Sequence, residues 1–104
     1  MILENLQDPG NLGTMIRTGE GAGITGVIMN QQTVDIFNPK TIRATMGSIF
    51  RVPFVYVPEL SPVLTQMHEK GIHTYAAHLK GQKYYVAFPS GSPLHFSSAM
   101  KETD

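Results

Sequence analysis

Short apolar runs alternate with segments of helical spacing along most of this chain of 104 residues. Four runs have the length and composition of buried strands, and they read "ITGVIMN", "RVPFVYVP", "IHTYAAHL" and "YYVAF". A shorter apolar run, "MILENL", opens the chain and predicts a fifth strand. Because helices separate most of these strands, the pattern predicts an α/β domain with a parallel, Rossmann-like sheet.

Composition limits the classes of function that such a domain could have. Lys plus Arg and Asp plus Glu number 8 each, so the net charge of zero gives no general electrostatic signal for nucleic acid. The absence of cysteine excludes disulfides, cysteine zinc sites and thiol catalysis. The four histidines lack metal-ligand spacing, so no metal site is predicted. No apolar run is long enough to span a bilayer, which favours a cytoplasmic protein without a membrane partner.

The segment "DPGNLGTMIRTGEGAG" predicts a helix with an unusual entrance. Asn11 is a suitable N-cap, and free backbone N–H groups are expected from Asn11 to Gly13. Arg17 follows about a turn later and could bind a phosphate together with these amides. From spacing alone, a phosphate-binding corner and an ordinary capped helix with a surface arginine both remain open.

A second segment, "NPKTIRATMGSIFRVP", combines basic residues with a turn between a helix and a strand. Lys40, Arg43 and Arg51 form a local basic cluster. Gly47 and Ser48 lie where backbone could approach a ligand or another subunit closely. A surface helix that ends at a glycine explains the same letters, so charge alone does not decide between the two.

The letters "GAGITG" match the dinucleotide-binding pattern G-x-G-x-x-G. That motif requires a strand before it and a helix after it, because the phosphate binds at the start of the helix. Here the predicted helix precedes the motif and the predicted strand follows it. The order therefore argues against a nicotinamide-dependent oxidoreductase.

Taken together, the two segments resemble the SpoU-type RNA ribose 2′-O-methyltransferases of the SPOUT superfamily. "DPGNLGTMIRT" is similar to the family's first motif, whose N-x-G-x-x-x-R core corresponds to Asn11, Gly13 and Arg17. "PKTIRATMGSIFRVP" is similar to the second motif, and its matching positions are Gly47, Ser48, Phe50, Arg51 and Pro53. The resemblance extends from Ile2 to about Phe88.

The resemblance implies a set of functional features. It implies a trefoil-knot fold of which this chain holds the N-terminal part, the cofactor S-adenosylmethionine, homodimers, and structured rRNA or tRNA as substrate. Arg17 and Asn11 would be the catalytic pair, and Ala77 and His78 would line part of the cofactor pocket. The implied RNA-binding residues are Asn11, Gly13, Arg17, Lys40, Arg43 and Arg51.

The last fifteen residues, "SGSPLHFSSAMKETD", depart from the family pattern. A third motif of the form I-G-N-E-G-x-G-L is expected after "YYVAF" and is absent. Reading the possible codons of "FSSAMKETD" plus a stop in another frame permits F-I-G-N-E-G-N-G-L, with its Glu and its final Leu forced. We therefore expect residues 1–89 to be the front half of the catalytic domain and residues 90–104 to be a frame-shifted tail. An unrelated natural tail is the alternative.

Two functions of different class follow from this interpretation. In the first, the chain is an RNA 2′-O-methyltransferase by descent, and we expect its isolated form not to turn over because the resemblance implies an incomplete knot and cofactor site. Alternatively, it is a non-catalytic RNA-binding or dimerisation fragment, which would require a basic surface.

Overall fold

The computed structural model describes residues 1–79, 82–89 and 101–103. Within these ranges the elements follow the order β1 (Ile2–Leu3), α1 (Pro9–Gly21), β2 (Val27–Asn30), α2 (Pro39–Thr45), β3 (Phe54–Val57), α3 (Ser61–Glu69), β4 (Ile72–Leu79), β5 (Gln82–Pro89) and β6 (Lys101–Thr103). A 3-10 turn, Ser48–Phe50, follows α2. The predicted strands and helices are confirmed, whereas β6 was not predicted.

The strands form one sheet in the order β3-β2-β1-β5-β4-β6. Strands β1, β2 and β3 are parallel, but β5 is antiparallel to both β1 and β4, and β6 is antiparallel to β4. The α/β class is therefore confirmed, and the sheet is mixed rather than parallel throughout. Strands β4 and β5 must be antiparallel, because only two residues separate Leu79 from Gln82 and a parallel crossover needs about a dozen or more.

Helix α1 covers one face of the parallel strands and builds the core there. Leu3 of β1 and Met29 of β2 are fully buried on this face. Leu12, Met15 and Ile16 of α1 pack in the same cluster, at the spacing that places them on one side of a helix. Leu6, Val27, Ile36 and Val52 complete the cluster. The core therefore fixes α1 on the sheet and leaves the side of α1 that carries Arg17 exposed.

Candidate functional site

Helix α1 begins earlier than the sequence pattern predicted. Asp8 is its N-cap, and its Oδ1 accepts a hydrogen bond from the Asn11 backbone N–H at 3.0 Å. Pro9 follows in the first helical position, where its missing N–H costs nothing. The prediction that Asn11 is the N-cap is therefore wrong: Asn11 lies in the first turn.

The same geometry changes the expected phosphate-binding corner. The Asn11 amide is occupied by the Asp8 side chain, and the Leu12 amide donates to the Asp8 carbonyl at 3.0 Å. Asp8 also brings a carboxylate to the positive end of the helix dipole, where it competes with any other anion. Free amides at Asn11 and Leu12 are thus ruled out, and anion binding near α1 must depend on side chains.

At Gly13 the two helices α1 and α2 approach each other closely. A Cβ atom at this position would lie 2.5 Å from the Ala44 Cβ and 2.5 Å from the Thr41 carbonyl oxygen. The Thr41 hydroxyl also donates to the Pro9 carbonyl at 2.9 Å, which ties the two helices together near their starts. The structure therefore gives Gly13 a packing role between the helices, and its contact with RNA stays a prediction.

The chain reverses sharply after α2. Met46 and Gly47 both adopt left-handed backbone conformations, with φ of 49° and 93°. Glycine reaches this region freely, but a non-glycine residue there costs on the order of 1–3 kcal/mol. The reversal buries Ser48 and leaves the Phe50 side chain 86% exposed. Met46, at 69% exposure, lies at the surface between α2 and the turn.

Glu20 of α1 binds both ends of the 3-10 turn. Its carboxylate accepts bidentate hydrogen bonds from Arg51, with Nε at 2.6 Å and Nη2 at 2.8 Å. The Ser48 hydroxyl donates to the same carboxylate at 2.8 Å. These bonds, that of Arg51 first, lower the pKa of Glu20, and the carboxylate in turn raises the pKa of Arg51. Glu20 could not be identified from the sequence, because nothing in one sequence links residues that lie 31 positions apart.

Arg17 contrasts with Arg51 in its surroundings. Its Nη1 lies 2.6 Å from the Met46 sulfur, and this is its one polar contact among the described residues. A thioether sulfur is a weak, neutral acceptor, so the guanidinium charge is not compensated. Arg51, by comparison, is neutralised by the Glu20 carboxylate. The two arginines that the sequence grouped together therefore differ: Arg17 can still bind an anion, and Arg51 is engaged within the protein.

Two further cations of the predicted set lie on α2. Arg43 is exposed in the last turn of α2, next to Met46, and Lys40 is exposed one turn earlier. Neither forms an ion pair in the described part of the chain. Since Arg17 contacts Met46, Arg17 and Arg43 gather near the C-terminal end of α2. We call Arg17, Lys40, Arg43 and Met46 the arginine surface.

Ala77 and His78 lie outside the arginine surface, on β4. Ala77 pairs with Tyr84 of β5, which in turn pairs with Leu3 of β1, so Ala77 is level with the carboxyl end of β1. Ala77 is buried and His78 is exposed. Because neighbouring side chains of a strand point to opposite faces, the two cannot line one face together. Their role at a cofactor stays a prediction.

A partly buried polar network joins the carboxyl ends of β1 and β2, where open α/β sheets bind their ligands. Asn30 Oδ1 accepts from the Asn5 backbone N–H at 2.9 Å and from the Thr33 hydroxyl at 2.8 Å. Asn30 Nδ2 donates to Asn5 Oδ1 at 2.6 Å. Asn5 has a φ of 54°, which asparagine tolerates better than most residues. The network fixes the loop that leads into α1. These hydrogen bonds were not predicted from the sequence.

The other end of the parallel strands carries an apolar groove of about 460 Å³. Ile2, Ile28 and Val55 line it from the sheet, and Met67 lines it from α3. Pro53, the last residue of the second motif, also borders this groove, and its carbonyl accepts from the Val27 N–H at 2.9 Å. The groove lies at the amino ends of the strands, so its position does not suit a cofactor site of this fold class.

Two classes of site receive no support from the described residues. Within 1–79, 82–89 and 101–103, no group of three or more His, Cys, Asp or Glu side chains could hold a metal ion. None of the helices in that same part of the chain has the length and apolar character needed to cross a membrane.

Comparison with known proteins gives consistent matches. Residues 1–98 match the model of the SpoU rRNA Methylase family. The 23S rRNA (guanosine(2553)-2′-O)-methyltransferase RlmP of Bacillus subtilis is 37% identical over 89 residues, which are 86% of this chain and 36% of that protein. The chain thus spans about a third of this relative's length. The family match continues past residue 89, where the sequence analysis placed the end of the catalytic part.

Solved structures show the same similarity. An rRNA methyltransferase from Sinorhizobium meliloti, solved with AdoMet bound, has a TM-score of 0.59 and 35% identity over 77% of this chain and 30% of its own. The SpoU methyltransferase AviRb from Streptomyces viridochromogenes, also in complex with AdoMet, has a TM-score of 0.58 and 31% identity over 65% of this chain and 26% of its own. With nearly all of its residues matched by the family model, the chain belongs to the SpoU rRNA Methylase family.

Proposed function

We propose that this chain forms the RNA-facing front part of a ribose 2′-O-methyltransferase that acts on rRNA or tRNA in the cytoplasm. The observation that carries the proposal is Arg17. Its guanidinium is exposed, and its polar contact among the described residues is with the neutral sulfur of Met46. An uncompensated arginine is suited to a phosphate, which it can bind through two parallel hydrogen bonds. The relatives described above are rRNA methyltransferases, which supports the same substrate class.

The reaction makes two demands on the protein. The ribose 2′-hydroxyl must be aligned with the methyl group that it attacks, and it must lose its proton. Arg17 is a poor proton acceptor, because a guanidinium stays protonated in proteins. We therefore assign Arg17 to holding the RNA phosphate and stabilising the negative charge that develops on the 2′-oxygen.

Asn11 contributes at a separate point of the same helix. It lies six positions before Arg17, which corresponds to about 9 Å along the axis of α1 and a different side of the helix. Direct placement of the Arg17 guanidinium by Asn11 is therefore not favoured. We assign Asn11 to a contact with a neighbouring nucleotide.

S-adenosylmethionine would supply the electrophilic methyl group, as the AdoMet complexes of the relatives suggest. Ala77 and His78 point to opposite faces of β4, so at most one of them can line the same side of a cofactor pocket. We therefore propose that the isolated chain binds the cofactor poorly and does not turn over. Isothermal titration should show no heat of binding at micromolar concentrations, and a micromolar dissociation constant would contradict this expectation.

A titration with fluorescent structured RNA tests the role of Arg17. Arg17→Ala should weaken binding and reduce the slope of log K against log salt by about 0.7–0.9, the contribution of one phosphate contact. Lys70→Ala is the matched control, because Lys70 is an exposed cation that directly follows α3, away from the arginine surface. Equal affinities and equal salt slopes for the two variants would refute the assignment.

We also propose that the chain associates as a homodimer through the surface around the 3-10 turn. Phe50 is 86% exposed and Met46 is 69% exposed, so the 3-10 turn and the residues before it carry two large apolar side chains in solvent. Burying such groups favours association, and a patch of this kind often marks an interface. Sedimentation should show a dimer that Phe50→Ser weakens, and a monomer at all concentrations would contradict the proposal.

A further inference from the structure

We propose that Glu20 is a positioning residue that holds Arg17 in place without touching it. The inference rests on the proposed function of Arg17 and adds a residue to it. Glu20 acts through the 3-10 turn and Met46. The link consists of three contacts in the structure: Arg51 with Glu20, Ser48 with Glu20, and Arg17 with Met46.

The first contact decides which charge Glu20 neutralises. Glu20 and Arg17 lie three positions apart on α1, a spacing at which opposite charges attract each other directly. The structure does not use this pairing, because the Glu20 carboxylate is bound to Arg51 and Ser48. Glu20 therefore leaves the charge of Arg17 available and compensates the charge of Arg51 instead.

The second contact fixes the turn. Ser48 and Arg51 stand at the two ends of the 3-10 turn, and both donate to the one carboxylate. The Arg51 backbone N–H also donates to the Ser48 carbonyl at 2.9 Å, so the turn is closed internally. Ser48 is 1% exposed, which leaves its hydroxyl no water to replace Glu20. A bidentate arginine pair adds orientation as well as attraction.

The third contact carries the effect to Arg17. Met46 precedes the turn by two residues, and its left-handed backbone is maintained only if the following segment is held. The Met46 sulfur is the group against which the Arg17 guanidinium lies. If Glu20 releases the turn, the Met46 backbone can leave the left-handed region. Arg17 then loses its one polar contact among the described residues.

Nuclear magnetic resonance tests this link on the chain alone, without RNA or cofactor. The probes are the Met46 methyl group and the side-chain Nε–H signals of Arg17 and Arg51. In Glu20→Gln all three signals should move by more than a linewidth, although Arg17 does not touch the altered group. Glu59→Gln removes the same charge from an exposed loop residue and should leave all three signals unchanged. Because neither RNA nor cofactor is present, the result does not depend on whether the proposed function is correct.

Two outcomes overturn the proposal. If Glu20→Gln moves the Arg51 signal but leaves the Met46 and Arg17 signals in place, Glu20 holds the turn without positioning Arg17. If Glu20→Gln fails to fold, Arg51→Gln breaks the same pair and retains the Ser48 hydrogen bond, and unchanged Met46 and Arg17 signals in that variant are equally decisive. The charge-reversed double variant Glu20→Arg with Arg51→Glu provides a rescue, and it should move both signals back towards their wild-type positions.

Discussion

Gly13→Ala tests the packing of α1 on α2 and sets two opposing effects against each other. In an exposed helix the change would add about 1 kcal/mol of stability, because alanine favours helices more than glycine does. Here the new methyl group meets the Ala44 Cβ and the Thr41 carbonyl oxygen, both at 2.5 Å. Real Cβ atoms essentially never lie closer than 3.0 Å to such neighbours, and a backbone carbonyl cannot rotate away, so the helices must separate.

The size of the effect follows from these two terms. Overpacking costs about 1–3 kcal/mol, and the two collisions place Gly13→Ala near the upper end of that range. After the gain in helix propensity is subtracted, the free energy of unfolding should fall by about 2 kcal/mol. Urea unfolding followed by circular dichroism measures this change from the midpoint, provided that the slope is unchanged.

A matched control is available in the same helix. Gly21 is exposed at the end of α1, and a Cβ there would meet no atom within 4 Å. Gly21→Ala should therefore raise the stability by up to about 1 kcal/mol. If Gly13→Ala stabilises the protein as Gly21→Ala does, the close approach of the two helices is not real, and the placement of Arg17 beside Met46 is in doubt as well.

Further predictions concern hydrogen bonds, pH and the gene. Tyr56→Phe removes a phenol that donates to one backbone carbonyl and accepts from one backbone amide, so unfolding should become easier by about 1–3 kcal/mol, and an unchanged urea midpoint would argue against this bonding. Asn30→Ala deletes the buried amide that makes three hydrogen bonds, and we expect a loss of about 2–3 kcal/mol in the same assay, with a smaller loss speaking against the network. The lowered pKa of Glu20 means that its ionised form is favoured in the folded state. The stability that it contributes is present above about pH 4.5 and is lost as the pH falls through the folded pKa, so Glu20→Gln should flatten this part of the acid-unfolding profile, and superimposable profiles would exclude the effect. Sequencing the genomic DNA from the codon of Tyr84 onward should show a second frame that encodes I-G-N-E-G-x-G-L, whereas its absence would make residues 90–104 a genuine tail.

The sequence predicted most of the elements because their signals are local. Pro39 at the start of a helix and the apolar runs of β2, β3 and β4 all appear where they were expected. The predicted start of α1 was three residues late, because the helix is capped by Asp8 and not by Asn11. An aspartate directly before a proline is the stronger signal, since proline suits the first helical position.

The arrangement of the candidate site could not be read from local signals. Lys40, Arg43 and Arg51 form one cluster in the sequence, yet Glu20 neutralises Arg51 alone. That distinction depends on the contact between Glu20 and Arg51. These two residues lie 31 positions apart, and the fold brings them together. Likewise, the glycine at position 13 could be identified as unusual for a helix interior, but not as the point where α2 crosses it.

The central claim is that this chain carries the RNA-facing machinery of a methyltransferase and that Arg17 is essential to it. A direct measurement is to replace the matching segment of the Bacillus subtilis relative RlmP with residues 1–89 of this chain and to follow methyl transfer to its 23S rRNA substrate. The account predicts an active chimera whose rate falls about 10²–10³-fold with Arg17→Ala and is unaffected by Lys70→Ala. A chimera that methylates equally well with Arg17→Ala, or one that folds and binds S-adenosylmethionine but does not methylate at all, would contradict it.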